Sequence, residues 1–370
     1  MGHMSGQKKI KENIDNETKS ATVLITAAGS IVAQGIIKSL KLVNQISNPV
    51  KYRLIAGDMS VQAAGLYRCD KGFLLPPSSS PDYLESIIKI VKDENIQAIY
   101  VGSDQELLVI GNAAERIERE TEAKVLSNPL KIVNIARDKW KTFEFLKANN
   151  LSCALSSLPE DSKEFIHNIG FPMVVKPREG YGSLHYYIVN SLEEMDYALS
   201  RIRNVGWSPI LQEYLEGDDT EFTSGVTVDR FGKYVMSSIS IQKTVKHGQT
   251  YKAFIDDFEK IRRSSEETAL KLGARGAINI QAKLEEEEPK IFEINPRFSA
   301  TTPMRSTAGI NEPDIVFRNS VLGEEIKIKN YERLICMRYW NEIYIHYSTF
   351  EKASSVGRVD GTDSFMHNYF

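Results

Sequence analysis

Three polar residues alternate along KIFEINPRFS, Lys290 to Ser299: Glu293, Asn295 and Arg297. In an extended strand alternate side chains share a face. This spacing therefore sets a carboxylate, an amide and a guanidinium side by side, with Phe292 and Ile294 turned to the other, core-facing side. Upstream, NIQAKL carries Gln281 on another strand, and if the two strands are neighbours Gln281 joins Glu293 and Asn295 on one face. Carboxylate and amide oxygens suit Mg²⁺, a hard cation that usually shares its ligands with substrate phosphates. Arg297 can fork onto a phosphoryl group. The competing reading is a buried structural Glu–Arg pair, which leaves the two amides unexplained.

Other stretches carry weaker signals of the same kind. MVVKPREGYGS ends an apolar strand in Lys176, followed by Gly180 and Gly182. A lysine leaving a buried strand is costly unless an anion meets it, and glycines beside it let backbone N–H groups approach phosphate oxygens. Alone this stretch reads as an exposed hairpin; beside the other motifs it reads as a phosphate cover. LQEYLEGDDTEF can present backbone groups to an adenine edge and a carboxylate to ribose hydroxyls, or can simply be an acidic turn. TAAGSIVAQG has Gly29 and Gly35 but not the G-x-G-x-x-G spacing, so with Asp58 it reads as a tight turn in a parallel sheet before it reads as a nicotinamide site. The run Glu285 to Glu288 is a solvated hairpin tip.

The elements that hold these residues fall into two groups. From Ala21 to Asn128, strands alternate with helices, which implies a parallel sheet covered on both faces. One of these helices, SPDYLESIIKIVKDENI, takes Ser80 as its N-cap and Pro81 as its first residue. From Pro129 the pattern mixes a helix running through Asp138 and Lys139 with β-hairpins, including one turning at DRFGK. RLICMRYWNEIYIHYSTF reads as a last strand. The expected organisation is a polar tail over 1–20, a Rossmann-like parallel-sheet domain over 21–128 and a second domain over 129–330, with a lid at about 171–216. A C-terminal strand and tail over 331–370 would pack on the second domain.

Bulk properties exclude several classes. The chain has 370 residues, 42% hydrophobic and 26% charged, with a net charge of -3, which offers no global attraction to nucleic acid or an anionic membrane. Three scattered cysteines, Cys69, Cys153 and Cys336, support neither a disulfide framework nor a zinc site, so a reducing cytoplasm is expected. No apolar run approaches the roughly 20 residues of a membrane helix, and the polar N-terminus does not read as a signal peptide.

With Lys139, VVKP, QEYLEG, NIQAKL and FEINPRF in this order, the chain resembles ATP-grasp proteins, most closely the synthetase domains of the carbamoyl-phosphate synthetase large chain. The resemblance covers about Ala21 to Gly323 and implies an α/β and α+β fold, with a pre-ATP-grasp domain followed by a two-lobed ATP-grasp domain. It implies that Lys139 and Lys176 hold the α- and β-phosphates of ATP, under a loop containing Gly180 and Gly182. Glu213, Tyr214 and Leu215 would form the adenine hinge, with Glu221 at the ribose and His247 near the phosphates. Gln281, Glu293 and Asn295 would bind two Mg²⁺ or Mn²⁺ ions, and Arg297 would steady the transferring phosphoryl group.

The activity so implied is ATP-dependent ligation of a small-molecule carboxylate to an amine, and a homodimer is compatible with it. Arg305 and Arg338 could each meet a substrate carboxylate or serve packing. SDQEL, Ser103 to Leu107, would wall the acceptor cleft by analogy. The second synthetase half, the oligomerisation and allosteric parts and a Cys–His glutaminase are missing, so carbamoyl phosphate synthesis by this chain alone is not expected. The C-terminal ordering also departs from a biotin carboxylase. The alternative is a nucleotide-binding regulatory or scaffold protein with an inactive site.

Overall fold

The computed structural model describes residues 18–180, 184–217, 221–246, 248–339, 341–361 and 364–367. Gly182 and His247 lie outside them. The N-terminal domain is built on parallel strands β1 (Lys19–Ile25), β2 (Val50–Asp58), β3 (Lys71–Leu74), β4 (Ala98–Tyr100) and β5 (Lys124–Leu126). They lie in the order β3-β2-β1-β4-β5, and the late strand Arg358–Asp360 pairs antiparallel with β3 at the edge, so the segment expected to pack on the second domain instead ends on the first. Val23, Leu24 and Ile25 are fully buried, as expected of a strand covered on both faces.

Helices α1 (Ile31–Val43), α2 (Tyr83–Asp93) and α3 (Asp104–Thr121) follow these strands. Ser30 caps α1 and Ser103 caps α3, each accepting a backbone N–H three residues on. The second helix begins later than its sequence suggests. Asp82 stands at its cap without a side-chain bond, and Ser80 and Pro81 belong to the preceding turn.

In the second domain, the single helix expected around Asp138 is two: α4 (Leu130–Arg137) and α5 (Lys139–Ala148). Asp138 breaks it because its extended backbone lets the carboxylate cap α5, accepting from Trp140 N and Lys141 N. The smaller lobe comprises β6 (Ser156–Ser157), α6 (Ser162–Ile169), β7 (Met173–Pro177), β8 (Tyr187–Val189), α7 (Leu192–Asn204) and β9 (Pro209–Glu213), with strand order β6-β9-β7-β8.

The larger lobe is antiparallel: β10 (Glu221–Val228), β11 (Val235–Lys246), β12 (Gln249–Ile255), β13 (Gly276–Glu285), β14 (Glu288–Asn295) and β15 (Leu334–Met337), ordered β14-β13-β10-β11-β12-β15. Helix α8 (Glu259–Leu272) packs on it, and α9 (Thr302–Thr307) and α10 (Glu312–Ser320) connect it to α1. The acidic run is the predicted hairpin tip, turning at Glu286 and Glu287, both with positive φ. The aromatic tail divides: β15 joins this sheet, Tyr344–Ile345 pairs elsewhere, and Tyr347–Val356 is helical.

Candidate active site

Strands β14, β13, β10 and β11 lie side by side, and their facing positions form the floor of a pocket of about 400 Å³ between the two lobes. Gln281 pairs in register with Glu293, and Thr223 with Gln281. The neighbour relation that the alternating pattern required is therefore present. One expectation is corrected. A bulge after the Gln281–Glu293 pair sets Ala282 opposite Ile291, leaving Phe292 as the extra residue. Ile291 and Ile294 enter the core, whereas Phe292 lines the pocket, with the Lys176 ammonium 5.6 Å from its ring centroid.

The pocket's charges are unevenly shared. Burial by itself would raise the Glu293 carboxyl, but Lys139, Lys176, Lys243 and Arg297 together hold it below the ordinary carboxylate range. Lys176 is 5% exposed and donates to Gln212 Oε1 at 2.7 Å. Burial, then the charge of Lys139, pushes its ammonium down to about 7. Lys139 opens α5, and its Nζ lies 3.4 Å from Gly180 O. Arg178 forks onto Asp138 at 3.1 and 2.5 Å, which ties the exit of β7 to the start of α5 and brings Lys139 and Lys176 to one wall.

Arg297 is held by the N-terminal domain. Its Nε and Nη2 meet the two oxygens of Asp104 at 2.7 and 2.6 Å, and Nη2 also donates to Asn295 Oδ1 at 3.2 Å. Asp104 is the second residue of SDQEL, so that segment reaches the site through Arg297. Lys243 escaped the sequence reading: its Nζ donates to Gln281 Oε1 at 2.6 Å and pairs with Glu221 at 2.8 Å. Only the strand order, which sets β11 two places from β13, gives it away.

At the other end, Glu213 and Leu215 line the pocket, and Glu213 accepts from Leu155 N at 2.9 Å and Lys290 Nζ at 3.0 Å. Lys283 donates to Leu215 O at 2.8 Å and stands 5.7 Å from the Tyr214 ring centroid. Gly180 and Glu221 also line the pocket. Arg305 is fully buried and paired with Glu312, so it braces the fold. Arg338 donates to Thr250 O at 3.0 Å and to Ala300 O, carbonyls at the pocket edge. Asp58 accepts from Gly29 N at 2.7 Å and Ser60 N at 2.8 Å, which spends it on the glycine turn.

A divalent cation would find three candidate oxygen-bearing side chains here. Among the described residues no three His, Cys, Asp or Glu side chains converge as a metal cluster. The candidate oxygens are those of the Glu293 carboxylate and of the Gln281 and Asn295 amides, the latter two each already accepting one hydrogen bond, from Lys243 and Arg297. Glu293 accepts one hydrogen bond among the described residues, from Asn295 Nδ2 at 3.3 Å, which leaves coordinating capacity on a carboxylate held ionised. One hard anionic ligand beside two neutral oxygens fits Mg²⁺ or Mn²⁺ when phosphate oxygens complete the shell.

Comparison with known proteins bears on the family and the fold. Residues 136–301 match the ATP-grasp domain, and residues 23–126 match the PylC-like N-terminal domain. The carbamoyl phosphate synthase large chain of Helicobacter pylori (strain J99) is 25% identical over 284 residues, which is 71% of this chain and 26% of that one. That of Caldanaerobacter subterraneus subsp. tengcongensis is 26% identical over 246 residues, 62% of this chain and 22% of that one. The chain thus spans about a quarter of the length of these curated relatives.

Among solved structures, N5-carboxyaminoimidazole synthetase from Staphylococcus aureus, complexed with ADP, superposes with a TM-score of 0.65 at 14% identity, over 91% of this chain and 85% of that one. The biotin carboxylase domain of Hydrogenobacter thermophilus 2-oxoglutarate carboxylase gives 0.65 at 18% identity, over 84% and 71%. The expected departure from biotin carboxylases therefore does not extend to the fold. Among the described residues no helix is long and apolar enough to cross a membrane. With an N-terminal domain matched over 23–126 and the nucleotide-handling domain over 136–301, the chain belongs to the ATP-grasp superfamily.

Proposed function

We propose that the chain is an ATP-dependent carboxylate–amine ligase that forms an amide through an acyl phosphate and releases ADP and phosphate. The observation that carries this reading is Glu293, one ionised carboxylate surrounded by Lys139, Lys176, Lys243 and Arg297. Asp104 and Glu221 pair with Arg297 and Lys243, which leaves Lys139 and Lys176 without a carboxylate ion pair among the described residues, where a triphosphate would lie.

In the reaction, a substrate carboxylate oxygen attacks the γ-phosphorus and the bond to the β-phosphate oxygen breaks, releasing ADP. An amine then attacks the acyl carbon; the carbon–oxygen bond to phosphate breaks, and the nitrogen loses a proton. Lys139 and Lys176 hold the phosphates, Glu213 to Leu215 border the adenine, and Glu221 meets the ribose. Arg297, fixed by Asp104, stabilises charge on the phosphoryl oxygens as it is transferred. Gln281, Glu293 and Asn295 would hold Mg²⁺ or Mn²⁺, which when bound neutralises phosphate charge. The small lobe above Lys176 excludes water, to which an acyl phosphate is labile.

The test is a matrix of carboxylates and amines scored for ADP, with hydroxylamine present to trap acyl phosphate as a hydroxamate. A hydroxamate formed with a single carboxylate supports the reading. ADP release indifferent to every carboxylate overturns it.

Lys176 supplies a second expected result. A lysine held near 7 in the free protein regains a proton when a phosphate anion meets it. Nucleotide binding at pH 8 should then take up a proton, up to about one per site. Calorimetry in buffers of different ionisation enthalpy measures this, and Lys176→Met should abolish it. The linked stability has a definite sign: between about 7 and the ordinary lysine value the unfolded chain binds more protons, so the free protein gains stability as pH rises through that window. No proton uptake by the wild-type protein would remove Lys176 from the phosphate contact.

A further inference from the structure

A second cleft, of about 550 Å³, opens where α1 and α9 meet the C-terminal segment. Lys38, Lys41 and Arg68 line it, with Pro303 and Thr307 from α9. Arg338 stands beside them. Lys38 is exposed at the mouth of the cleft, and the partial burial of its ammonium, then the charges of Arg68 and Arg338, lowers it; burial also lowers the half-buried guanidinium groups of Arg68 and Arg338. Among the described residues no carboxylate is among the charges acting on these three groups; the opposing influences come from Cys336 and Cys69. The hydrogen-bond partners of the two arginines are neutral. Arg68 donates to Gln34 Oε1, and Arg338 to the carbonyls of Thr250 and Ala300. Cations gathered with neutral acceptors alone repel one another, and an entering anion relieves that cost.

Helix α1 runs from the main pocket to this cleft, contributing residues to each lining. Ile31 and Val32, in the first turn of α1, line the pocket that holds Arg297. Lys38 lies seven residues further along α1, about 10 Å at the rise of an α-helix. Gly35, between them, lets α1 lie against the loop after Arg297: a Cβ there would stand 3.2 Å from Ser299 O and from Pro303 Cδ. Arg338 marks the junction, because Ala300, whose carbonyl it holds, also lines the main pocket.

We propose that this cleft receives an anionic group, a carboxylate or a phosphate, on the acceptor substrate, whose reacting end enters the main pocket past Ile31, Val32 and Ala300. The proposal rests on the ligase reading and narrows it. The acceptor is an elongated anion with about 10 Å between its charged group and its reacting group.

The test is trace acetylation of the full chain followed by peptide mapping, with inorganic phosphate or succinate as the probe. Either probe should slow labelling of Lys38 at least fivefold and leave the exposed Lys89 unchanged. Arg68→Gln should remove the protection. Equal labelling of Lys38 with and without both probes overturns the proposal, as does protection that persists in Arg68→Gln. Protection by phosphate alone assigns a phosphorylated acceptor; protection by succinate assigns a carboxylate. The measurement needs no turnover, so it separates from the ligase test. A protected Lys38 without hydroxamate chemistry removes the ligase reading and keeps the anion site; hydroxamate chemistry with an unprotected Lys38 removes only the anion site.

Discussion

Glu293→Ala is expected to lower Mg²⁺-dependent ADP formation by a factor of about 10²–10³ or more, the scale of losing one preorganised electrostatic contact to a transition state. Glu293 is the anionic member of the candidate metal set; Gln281 and Asn295 are neutral and already accept from Lys243 and Arg297. Without the carboxylate, a divalent cation meets two amide oxygens beside four positive side chains. The fold should survive, since Lys243 keeps Glu221 and Arg297 keeps Asp104. Glu293→Gln preserves shape and one oxygen but removes the charge, so it should be nearly as inactive. Turnover near the wild-type rate in either variant would remove Glu293 from the site.

The pH dependence of stability gives an independent check on the same residue. A carboxyl held below its unfolded value stabilises the fold above that value, and the contribution fades as pH falls through the folded one. Glu293→Gln should lack this part of the acid sensitivity. Denaturant melts of both proteins at several acidic pH values would reveal it.

The floor of the site was legible because its chemistry is local. Glu293, Asn295 and Arg297 announce themselves by alternation, and the short turn at Glu286 and Glu287 fixes Gln281 opposite Glu293. Phe292 was misplaced because a bulge adds one residue, and strict alternation cannot count it. Lys243 lies in QKTVK, where polar residues are frequent, and it gains meaning only from β10 lying between β11 and β13. Asp138 illustrates a different failure. The apolar spacing continues across it, so periodicity favoured one helix, while cap chemistry, a single-residue signal, made two. The basic cleft was invisible for another reason: Lys38, Arg68 and Arg338 are far apart in sequence and share no motif.

Arg305→Met is expected to destabilise the protein by about 3–5 kcal/mol, the usual penalty for removing one partner of a buried ion pair. The Arg305 and Glu312 side chains are 0% and 2% exposed, with Nε 2.9 Å from Oε1 and Nη2 3.1 Å from Oε2. The same guanidinium donates to Thr301 Oγ1 and Ser299 Oγ, each at 2.8 Å. It thereby fixes the loop after Arg297 that forms one wall of the pocket. Gly225 on β10 makes room for the pair, since a Cβ there would come 1.8 Å from Glu312 Oε1 and 2.4 Å from Arg305 Nε. In the single variant the Glu312 carboxylate stays buried with its strongest partner gone. The double variant Arg305→Met, Glu312→Leu buries no orphan charge, so it should recover most of the lost stability in urea melts. The same double variant still lacks the bonds to Ser299 and Thr301, so its turnover should stay low while its stability returns. A single variant as stable as wild type would show the pair to be dispensable to the fold. A double variant restored in both stability and rate would show that the loop holds its shape without Arg305.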